Sequence, residues 1–255
     1  MKSKLTNFLK KIILLSILII PNIVNADFFE DISNKIVNNP KRLSYGISVA
    51  DIDQNEKYEF IVTGFGYPNL ALSYDKGKLI NVTSQKIFSD EFRKTIGVAA
   101  CDVDRDGYEE IYFLNTDTYS GTKKYSDRLI DLEGNKFLDM FEIEKNKEEL
   151  NLTAGRSVAC VDRKGNGEYG LYVSNYGGPT RFYEIEDNKI KDKSADLNLD
   201  KVTGGRAVVS GHILTDRSDI FAANERGANF LLKNNNGLFE DVAFDYRVDD
   251  VIQNG

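Results

Sequence analysis

The fold is decided by residues 97–116, which read Gly97-Val-Ala-Ala-Cys-Asp-Val-Asp-Arg-Asp-Gly-Tyr-Glu-Glu-Ile-Tyr-Phe-Leu-Asn-Thr116. Two short runs rich in apolar residues flank one acidic loop, a pattern that indicates two strands joined as a hairpin. Asp102, Asp104 and Asp106 alternate ahead of Gly107 and Glu110. Several carboxylate oxygens can then converge on one point, while the glycine permits the sharp turn that such a cage needs. The stretch therefore predicts a site for a hard cation, Ca2+.

The same pattern of an apolar strand followed by a polar loop recurs along the chain at a spacing of roughly fifty residues. The other copies read Gly46-Ile-Ser-Val-Ala-Asp-Ile-Asp, Ser157-Val-Ala-Cys-Val-Asp and Arg206-Ala-Val-Val-Ser-Gly-His. Three further strands are predicted after each loop, at 60–63, 70–74 and 79–83; 111–114, 128–132 and 136–140; 171–174, 181–185 and 189–193; and 220–223, 230–233 and 238–242. Four strands per repeat predict an all-β propeller rather than a βαβ fold. Its repeats lie at about 45–95, 96–153, 154–203 and 204–254 within a propeller region at 27–255.

The segments around these strands carry further expectations. A glycine-containing turn is predicted at 177–180, and the charged connections at 86–93 and 144–150 suit a short helix or a solvated loop equally. The sequence of residues 28–33, Phe-Phe-Glu-Asp-Ile-Ser, is similar to the sequences of the predicted fourth strands. It therefore predicts an outer strand that closes the ring of blades. Asn254-Gly255 falls where the next repeat should begin, so we expect four complete blades here and a longer, truncated propeller.

The N-terminus has the pattern of a signal peptide at 1–26. An apolar run at 12–20 is followed by Pro21 and by Val-Asn-Ala26, and it is preceded by Lys2, Lys4, Lys10 and Lys11. The run is short for a membrane span, although an uncleaved anchor is the alternative. We expect a secreted, periplasmic or cell-surface protein with no stable membrane span after cleavage.

The charge of the mature chain argues against nucleic acid as a partner. Loss of the four lysines takes the formal charge from −7 to −11. No basic cluster interleaved with aromatic residues remains to hold phosphates.

The first two acidic loops keep the ligand pattern. The second loop has its side-chain ligands at positions 1, 3, 5 and 9, and the first loop matches it except that Glu56 stands at the glycine position. The predicted ligands, including two backbone carbonyls at Lys57 and Tyr108, are Asp51, Asp53, Asn55, Lys57, Glu59, Asp102, Asp104, Asp106, Tyr108 and Glu110. An EF-hand would need a Glu at position 12, where Phe113 and Val62 stand inside strands. Acidic hairpin turns without metal are the alternative.

The third and fourth loops lose the pattern. Lys164 replaces the second carboxylate of the third loop, which predicts no metal and a cage neutralised by the lysine. Aligned without gaps, the fourth loop offers Gly211, Ile213, Thr215 and Asp219. No cage remains there, so replacing Asp219 is expected to have little effect.

Cys101 and Cys160 have two possible states. Cys101 lies one residue before its loop's first ligand position and Cys160 lies two before, so they face opposite sides of equivalent strands. Blades that stack front to back could join them, and two buried free thiols are the alternative.

No catalytic set emerges from the sequence, which predicts that the protein is not an enzyme. His212 is the only histidine, and no nucleophile and acid can be assembled around it. A core or loop histidine is the simpler interpretation.

Three stretches of the sequence resemble the cartilage acidic protein family. They are residues 97–116, Ala154-Gly-Arg-Ser-Val-Ala-Cys-Val-Asp-Arg-Lys-Gly and Thr203-Gly-Gly-Arg-Ala-Val. The repeat is similar to the FG-GAP or VCBS type of integrin α-chain propellers. The resemblance implies a secreted calcium-binding propeller of about seven blades, with the ligands named above at the family's ligand positions. It implies further repeats and an ASPIC/UnbV-type module, which are missing from this sequence.

The function expected from this combination is an interaction or adhesion module for an extracellular protein or glycan, in which Ca2+ has a structural role. A propeller-type polysaccharide lyase or hydrolase is the first alternative. A purely structural repeat unit of a surface assembly is the second.

Overall fold

The computed structural model describes residues 29–83, 88–133 and 136–251 in two compact units, which divide after Asn34. The predicted signal peptide lies outside the described residues. In the N-terminal unit, residues 29–32 form no regular element and Ser33 begins a short 3-10 helix, Ser33–Lys35. The outer strand predicted at 28–33 is therefore wrong over its described part. No described strand pairs with it, and an unpaired strand leaves its backbone groups unsatisfied.

Sixteen strands form four consecutive antiparallel meanders in the described residues from Lys35 onward, so the protein is all-β as predicted. The first meander contains β1 (Ile47–Ala50), β2 (Glu59–Val62), β3 (Leu70–Asp75) and β4 (Lys78–Asn81). The second contains β5 (Thr95–Cys101), β6 (Glu110–Asn115), β7 (Arg128–Glu133) and β8 (Lys136–Asp139). The third contains β9 (Gly155–Val161), β10 (Gly170–Pro179), β11 (Arg181–Glu186) and β12 (Lys189–Asp192). The fourth contains β13 (Val202–Gly211), β14 (Asp219–Asn224), β15 (Phe230–Asn235) and β16 (Leu238–Asp241).

Short helices occupy some of the connections. The two charged segments left open by the sequence contain 3-10 helices, at Glu91–Arg93 and Glu144–Glu149. A further 3-10 helix lies at Met140–Glu142, and the α-helix α1 (Ala243–Tyr246) follows β16. Within the described residues, no helix has the length and apolar character that crossing a bilayer requires.

The third and fourth meanders are joined into one sheet, which the sequence did not predict. β10 continues through the turn predicted at 177–180, and β13 begins at Val202, before the predicted strand. Tyr176 pairs with Gly204, and Pro179 pairs with Val202. Glycine suits this close approach, because a Cβ on Gly205 would lie 2.9 Å from the backbone oxygen of Asn175 and 1.9 Å from Ser174 Oγ.

Neighbouring meanders pack face to face, and alternate residues of one strand enter two different cores. Ile111 and Phe113 of β6 contribute to the core shared with the first meander. Tyr112 and Leu114 of the same strand contribute to the core shared with the third meander. A third core lies between the third and fourth meanders around Tyr172 and Ile220. The meanders therefore stack in chain order.

A disulfide joins Cys101 of β5 to Cys160 of β9, with 6.3 Å between the Cα atoms. This decides between the two states that the sequence left open. The bond crosses the core between the second and third meanders and fits an exported protein, since disulfides persist in oxidising compartments.

The outer face of the first meander is apolar and exposed. Ile47, Val49 and Phe60 are 64%, 47% and 38% exposed. Val49 pairs with Phe60, so the two side chains lie together on one face. This face lacks the cover that the inner faces receive from their neighbours within the described residues.

Candidate metal centres

The described residues contain three groups of acidic side chains that could hold a metal ion, all in the first and second meanders. Within each group the carboxylate oxygens lie within 4.8 Å of one another. The groups are Asp51, Asp53 and Glu59; Asp102, Asp104 and Glu110; and Asp104, Asp106 and Asp131. Because the second and third groups share Asp104, five acidic residues of the second loop and its neighbouring strands β6 and β7 form one continuous set.

The second loop is held in shape by its own backbone. Asp102 accepts hydrogen bonds from the backbone nitrogens of Arg105, at 2.6 Å, and Gly107, at 3.0 Å. Arg105 and Gly107 have φ values of 72° and 94°. Positive φ at these two positions winds the chain around the Asp102 carboxylate, and glycine adopts this conformation at the second of them without a steric clash.

Glu110 forms the buried floor of this site. It is 1% exposed and accepts hydrogen bonds from the backbone nitrogens of Val103, at 2.7 Å, and Asp104, at 3.2 Å. Burial raises the pKa of Glu110 to about 9, with further increases from Asp104 and Asp131 and an opposing effect of the Val103 N–H. A bound cation would supply the positive charge that the buried carboxylate lacks.

Asp131 is a candidate ligand that sequence reasoning missed. Ile111 of β6 pairs with Ile130 of β7, so the adjacent Glu110 and Asp131 lie across these two strands. Asp131 lies 21 positions after the last predicted ligand of the loop, outside its local spacing. Only the register between β6 and β7 could have identified it.

The first loop repeats this arrangement with fewer acidic groups. Asp51 accepts hydrogen bonds from the backbone nitrogens of Asn55, at 3.0 Å, and Glu56, at 2.7 Å. Gln54 and Glu56 have φ values of 57° and 65°, so two residues other than glycine hold the left-handed conformation. Glu59 is 1% exposed, and burial raises its pKa.

The other predicted ligands are placed less decisively. Asn55 Oδ1 accepts a hydrogen bond from the backbone nitrogen of Lys57 at 2.9 Å, and Asp106 groups with Asp104 and Asp131. Lys57 and Tyr108 have exposed side chains. The use of their carbonyl oxygens as ligands stays a prediction.

The third loop keeps the backbone arrangement, but the role predicted for Lys164 is wrong. Asp162 accepts hydrogen bonds from the nitrogens of Gly165, at 2.7 Å, and Gly167, at 2.8 Å. The Lys164 ammonium instead donates to Glu168 at 2.6 Å. The lysine pairs with this half-buried glutamate, since backbone nitrogens already donate to both oxygens of Asp162.

The fourth loop is one residue shorter, so the alignment without gaps is wrong. Gly211 pairs with Asp219, whereas Cys101 pairs with Glu110. Gly211 therefore takes the place of Cys101 and not of Asp102, while Asp219 keeps the place of Glu110 and is fully buried. Its carboxylate accepts hydrogen bonds from five donors, namely the backbone nitrogens of Ile213, Leu214, Thr215 and Asn234 and the Thr215 hydroxyl. Burial raises the pKa of Asp219, but these hydrogen bonds outweigh that effect and lower it overall.

The four loops follow the ends of the first strands and contact one another along that edge. Glu109 of the second loop accepts a hydrogen bond from the Asp51 nitrogen at 3.4 Å. Arg105 forms an ion pair with Glu168 of the third loop at 2.8 Å. Arg217 of the fourth loop donates to the backbone oxygen of Lys164. A change in one loop can therefore reach its neighbour.

The donor atoms define the kind of metal that the first two loops suit. All candidate side-chain ligands in the three groups are carboxylates. Oxygen-only sets suit Ca2+, Mg2+ or Mn2+ rather than Zn2+ or Cu2+, which favour imidazole and thiolate. His212, the one histidine, is exposed in the fourth loop.

The chain is similar in sequence to cartilage acidic protein 1 of three vertebrates, while no protein-family profile matches it. Over 244 residues, which include 86% of this chain, it is 41% identical to the protein of Xenopus tropicalis, 41% to that of Homo sapiens and 39% to that of Mus musculus. The alignments cover 38%, 37% and 38% of those proteins, so the chain spans less than two fifths of the curated relatives that it matches. This sequence similarity supports the resemblance to the cartilage acidic protein family that the repeats indicate.

Two solved structures are more distantly similar. The V. cholerae biofilm matrix protein Bap1 has a TM-score of 0.41 and 15% identity, over 78% of this chain and 30% of that chain. Bacillus licheniformis rhamnogalacturonan lyase PL11 has a TM-score of 0.38 and 14% identity, over 78% of this chain and 50% of that chain. Similarity at this level carries no conclusion about this protein.

Proposed function

We propose that this relative of cartilage acidic protein 1 is a secreted, calcium-binding propeller segment that acts as an interaction or adhesion module for an extracellular protein or glycan. In this proposal each meander is one blade of the FG-GAP or VCBS type. The Ca2+ ions are structural and stiffen the hairpins between the first and second strands of the first two blades. The partner binds elsewhere on the molecule.

The observation that carries the calcium proposal is the buried Glu110 carboxylate within a set of acidic residues. Without a cation Asp102 and Asp104 repel each other and the buried Glu110 holds a proton, whereas a divalent ion removes the repulsion and takes the place of that proton. The loop backbone already positions the ligands, so ion binding has little conformational entropy left to oppose it.

Two observations support the propeller arrangement. Four-stranded meanders that follow one another and share their faces are the building plan of a propeller. The exposed apolar face around Val49 and Phe60 suits contact with a further blade, and the curated relatives are long enough to contain more blades.

A binding role is favoured over catalysis because the regularly spaced carboxylates all belong to the hairpin loops. The single histidine has no nucleophile or acid beside it in sequence.

The calcium proposal is tested by thermal unfolding in chelator and after addition of excess Ca2+. At a Ca2+ concentration one hundred times the Kd, binding adds about 2.7 kcal/mol of stability, and the melting temperature should rise by several degrees. Asp104→Ala should remove most of the increase from the second loop, because Asp104 belongs to two of the acidic groups.

Asp216→Ala is the matched control, since Asp216 is an exposed aspartate of the fourth loop. It should leave the increase unchanged. Equal melting temperatures with chelator and with Ca2+ in the unsubstituted protein would contradict the calcium assignment.

A further inference from the structure

A cavity of about 360 Å³ lies near the beginnings of the first strands, at the end opposite the acidic loops. Its walls include three cationic and three aromatic side chains, namely Lys94, Arg156, Arg206, Tyr45, Phe65 and Tyr119. A neighbouring cavity of about 520 Å³ shares Tyr45, Arg156 and Arg206 and is lined by all four first strands or the residues directly before them. The volumes fall within the range of about 300–1,000 Å³ that is common for small-molecule sites.

The cavity is positively charged in a protein of net charge −7. Within the described residues, Lys94 and Arg156 form no ion pair with a carboxylate, while Arg206 pairs with Glu225. Asp117 is the one acidic residue among the lining residues of the smaller cavity. An excess of cations in this acidic chain indicates a place for an anionic group.

Arg156 is fixed in position before any ligand arrives. Its guanidinium lies 5.2 Å from the ring centre of Tyr119 and 4.9 Å from that of Tyr176. One terminal nitrogen donates to Thr116 Oγ1 at 3.0 Å, and the residue is 8% exposed. Its Nε has no hydrogen-bond partner in the described part of the chain. The other terminal nitrogen donates to the backbone oxygen of Tyr119. The protein thus holds a fixed cation at the cavity wall, which lowers the entropic cost of binding an anion.

Exposed aromatic rings stand on both sides of these cations. Tyr45 packs edge to face on Phe65 at 5.4 Å, and Lys94 lies 5.7 Å from the centre of the Phe65 ring. Tyr45 and Tyr119 are 61% and 60% exposed. A sugar ring has a face of C–H groups that packs on such surfaces, whereas the side chain of an acidic peptide brings only a flexible carboxylate.

We propose that the smaller cavity, lined by Lys94, Arg156 and Arg206, binds an acidic sugar unit of a glycan. The carboxylate or sulfate lies among Lys94, Arg156 and Arg206, and the sugar ring packs on Tyr119 or Tyr45. The inference rests on the proposed binding function and gives the class of ligand for it.

The test is calorimetric titration of the calcium-saturated protein with four probes. They are a glucuronate-containing tetrasaccharide, its carboxyl-reduced neutral form, a sulfated neutral tetrasaccharide and a tetraglutamate peptide. We expect one or both anionic sugars to bind at least tenfold more tightly than the neutral form, and the stronger of the two identifies the anionic group.

The double variant Lys94→Gln and Arg206→Gln should weaken that binding at least tenfold, because both side chains are exposed at the cavity and their loss leaves the cores intact. Tyr119→Ala should weaken the binding of the anionic sugars and leave any binding of the peptide unchanged. Lys145→Gln removes an exposed charge in a distant connection and is the matched control. Melting temperatures of all variants check that they are folded.

Three patterns of binding would overturn the inference. They are equal binding of neutral and anionic sugars, sugar binding that survives the double variant, and binding of the peptide in place of the sugars. The first two results would still be consistent with the proposed role in glycan binding. The third would still be consistent with the proposed role in protein binding. Absence of binding by every probe would also overturn the inference, while the chelator melt would still report on the calcium proposal.

Discussion

Asp219 shows how hydrogen bonds alone can stabilise a buried carboxylate. It occupies the register position of Glu110, but five hydrogen-bond donors of its own loop and of β15 surround it. A carboxylate satisfied in this way is stable when buried and ionised, without a cation. The protein therefore stabilises equivalent hairpins by two chemistries, hydrogen bonds in the fourth meander and, in our proposal, Ca2+ in the first two.

The sequence predicts that replacing Asp219 has little effect, whereas these hydrogen bonds lead us to expect a large one. Asp219→Ala leaves several backbone N–H groups without an acceptor inside a buried hairpin, and we expect a loss of roughly 3 kcal/mol in the free energy of unfolding. Asp219→Asn retains one acceptor oxygen and should lose less. Urea unfolding with Ca2+ and with chelator measures both, and the losses should be equal in the two conditions. A loss confined to the Ca2+ condition would contradict the hydrogen-bond role.

Glu110 should make the stability of the protein depend on pH, and the direction follows from its raised pKa. Its pKa of about 9 in the metal-free fold lies above the ordinary value of 4.5. Between these values the metal-free folded chain holds a proton that the unfolded chain releases, so stability falls as pH rises. The slope approaches 1.4 kcal/mol per pH unit for one such group.

Urea unfolding of metal-free protein between pH 5.5 and 8.5 measures this slope, within the range of about 4.5 to 9 set by the two pKa values. Glu110→Gln should flatten the curve by the contribution of that one group. With excess Ca2+ the unsubstituted protein should lose its decline, since the metal keeps the carboxylate ionised. An identical slope in the variant would show that other groups cause the dependence.

At the scale of the element, the acidic hairpins share one backbone plan. The fourth and sixth loop positions have positive φ in all three eight-residue loops: Gln54 and Glu56, Arg105 and Gly107, and Gly165 and Gly167. Only the first of these loops has residues other than glycine at both positions. Its strained sixth position at Glu56 is therefore the place to improve it.

Glu56→Gly should stabilise the first loop by about 1 kcal/mol, because glycine adopts the left-handed conformation without the clash that other residues meet. The reverse change in the second loop, Gly107→Ala, should destabilise by a similar amount. Chemical unfolding at fixed Ca2+ compares the two variants. Destabilisation by Glu56→Gly would mean that the Glu56 side chain has a role beyond occupying the turn.

The strands were predictable and the contacts between them were less so. Each strand carries its own signal of apolar and β-branched residues, so all four predicted strands of each repeat overlap observed ones, within a few residues at most ends. Asp131 and the β10–β13 pairing depend on strand register and on backbone approach at Gly205, which local patterns do not encode. The missing residue in the fourth loop became visible only when Gly211 was seen to pair with Asp219.

At the scale of the whole molecule, loop chemistry divides the chain into two parts. The first and second meanders carry all three acidic groups found in the described residues, whereas the third and fourth hairpins are held by Asp162 and Asp219 through hydrogen bonds. Chelation should therefore loosen the first two hairpins and leave the other two closed.

Trypsin tests this division, because Arg105 is an exposed residue of the second loop. In chelator we expect rapid cleavage after Arg105, and in Ca2+ we expect protection. Cleavage at equal rates in both conditions would contradict the division.

The disulfide determines how that cleavage is seen. A cut after Arg105 leaves Cys101 on one fragment and Cys160 on the other, and the bond between them keeps the two pieces together. Electrophoresis without reductant would then show one band of unchanged mass, and two bands would appear after reduction. A nicked chain would pass as intact in any non-reducing test of integrity, so backbone damage in this protein has to be measured after the sulfur bridge is broken.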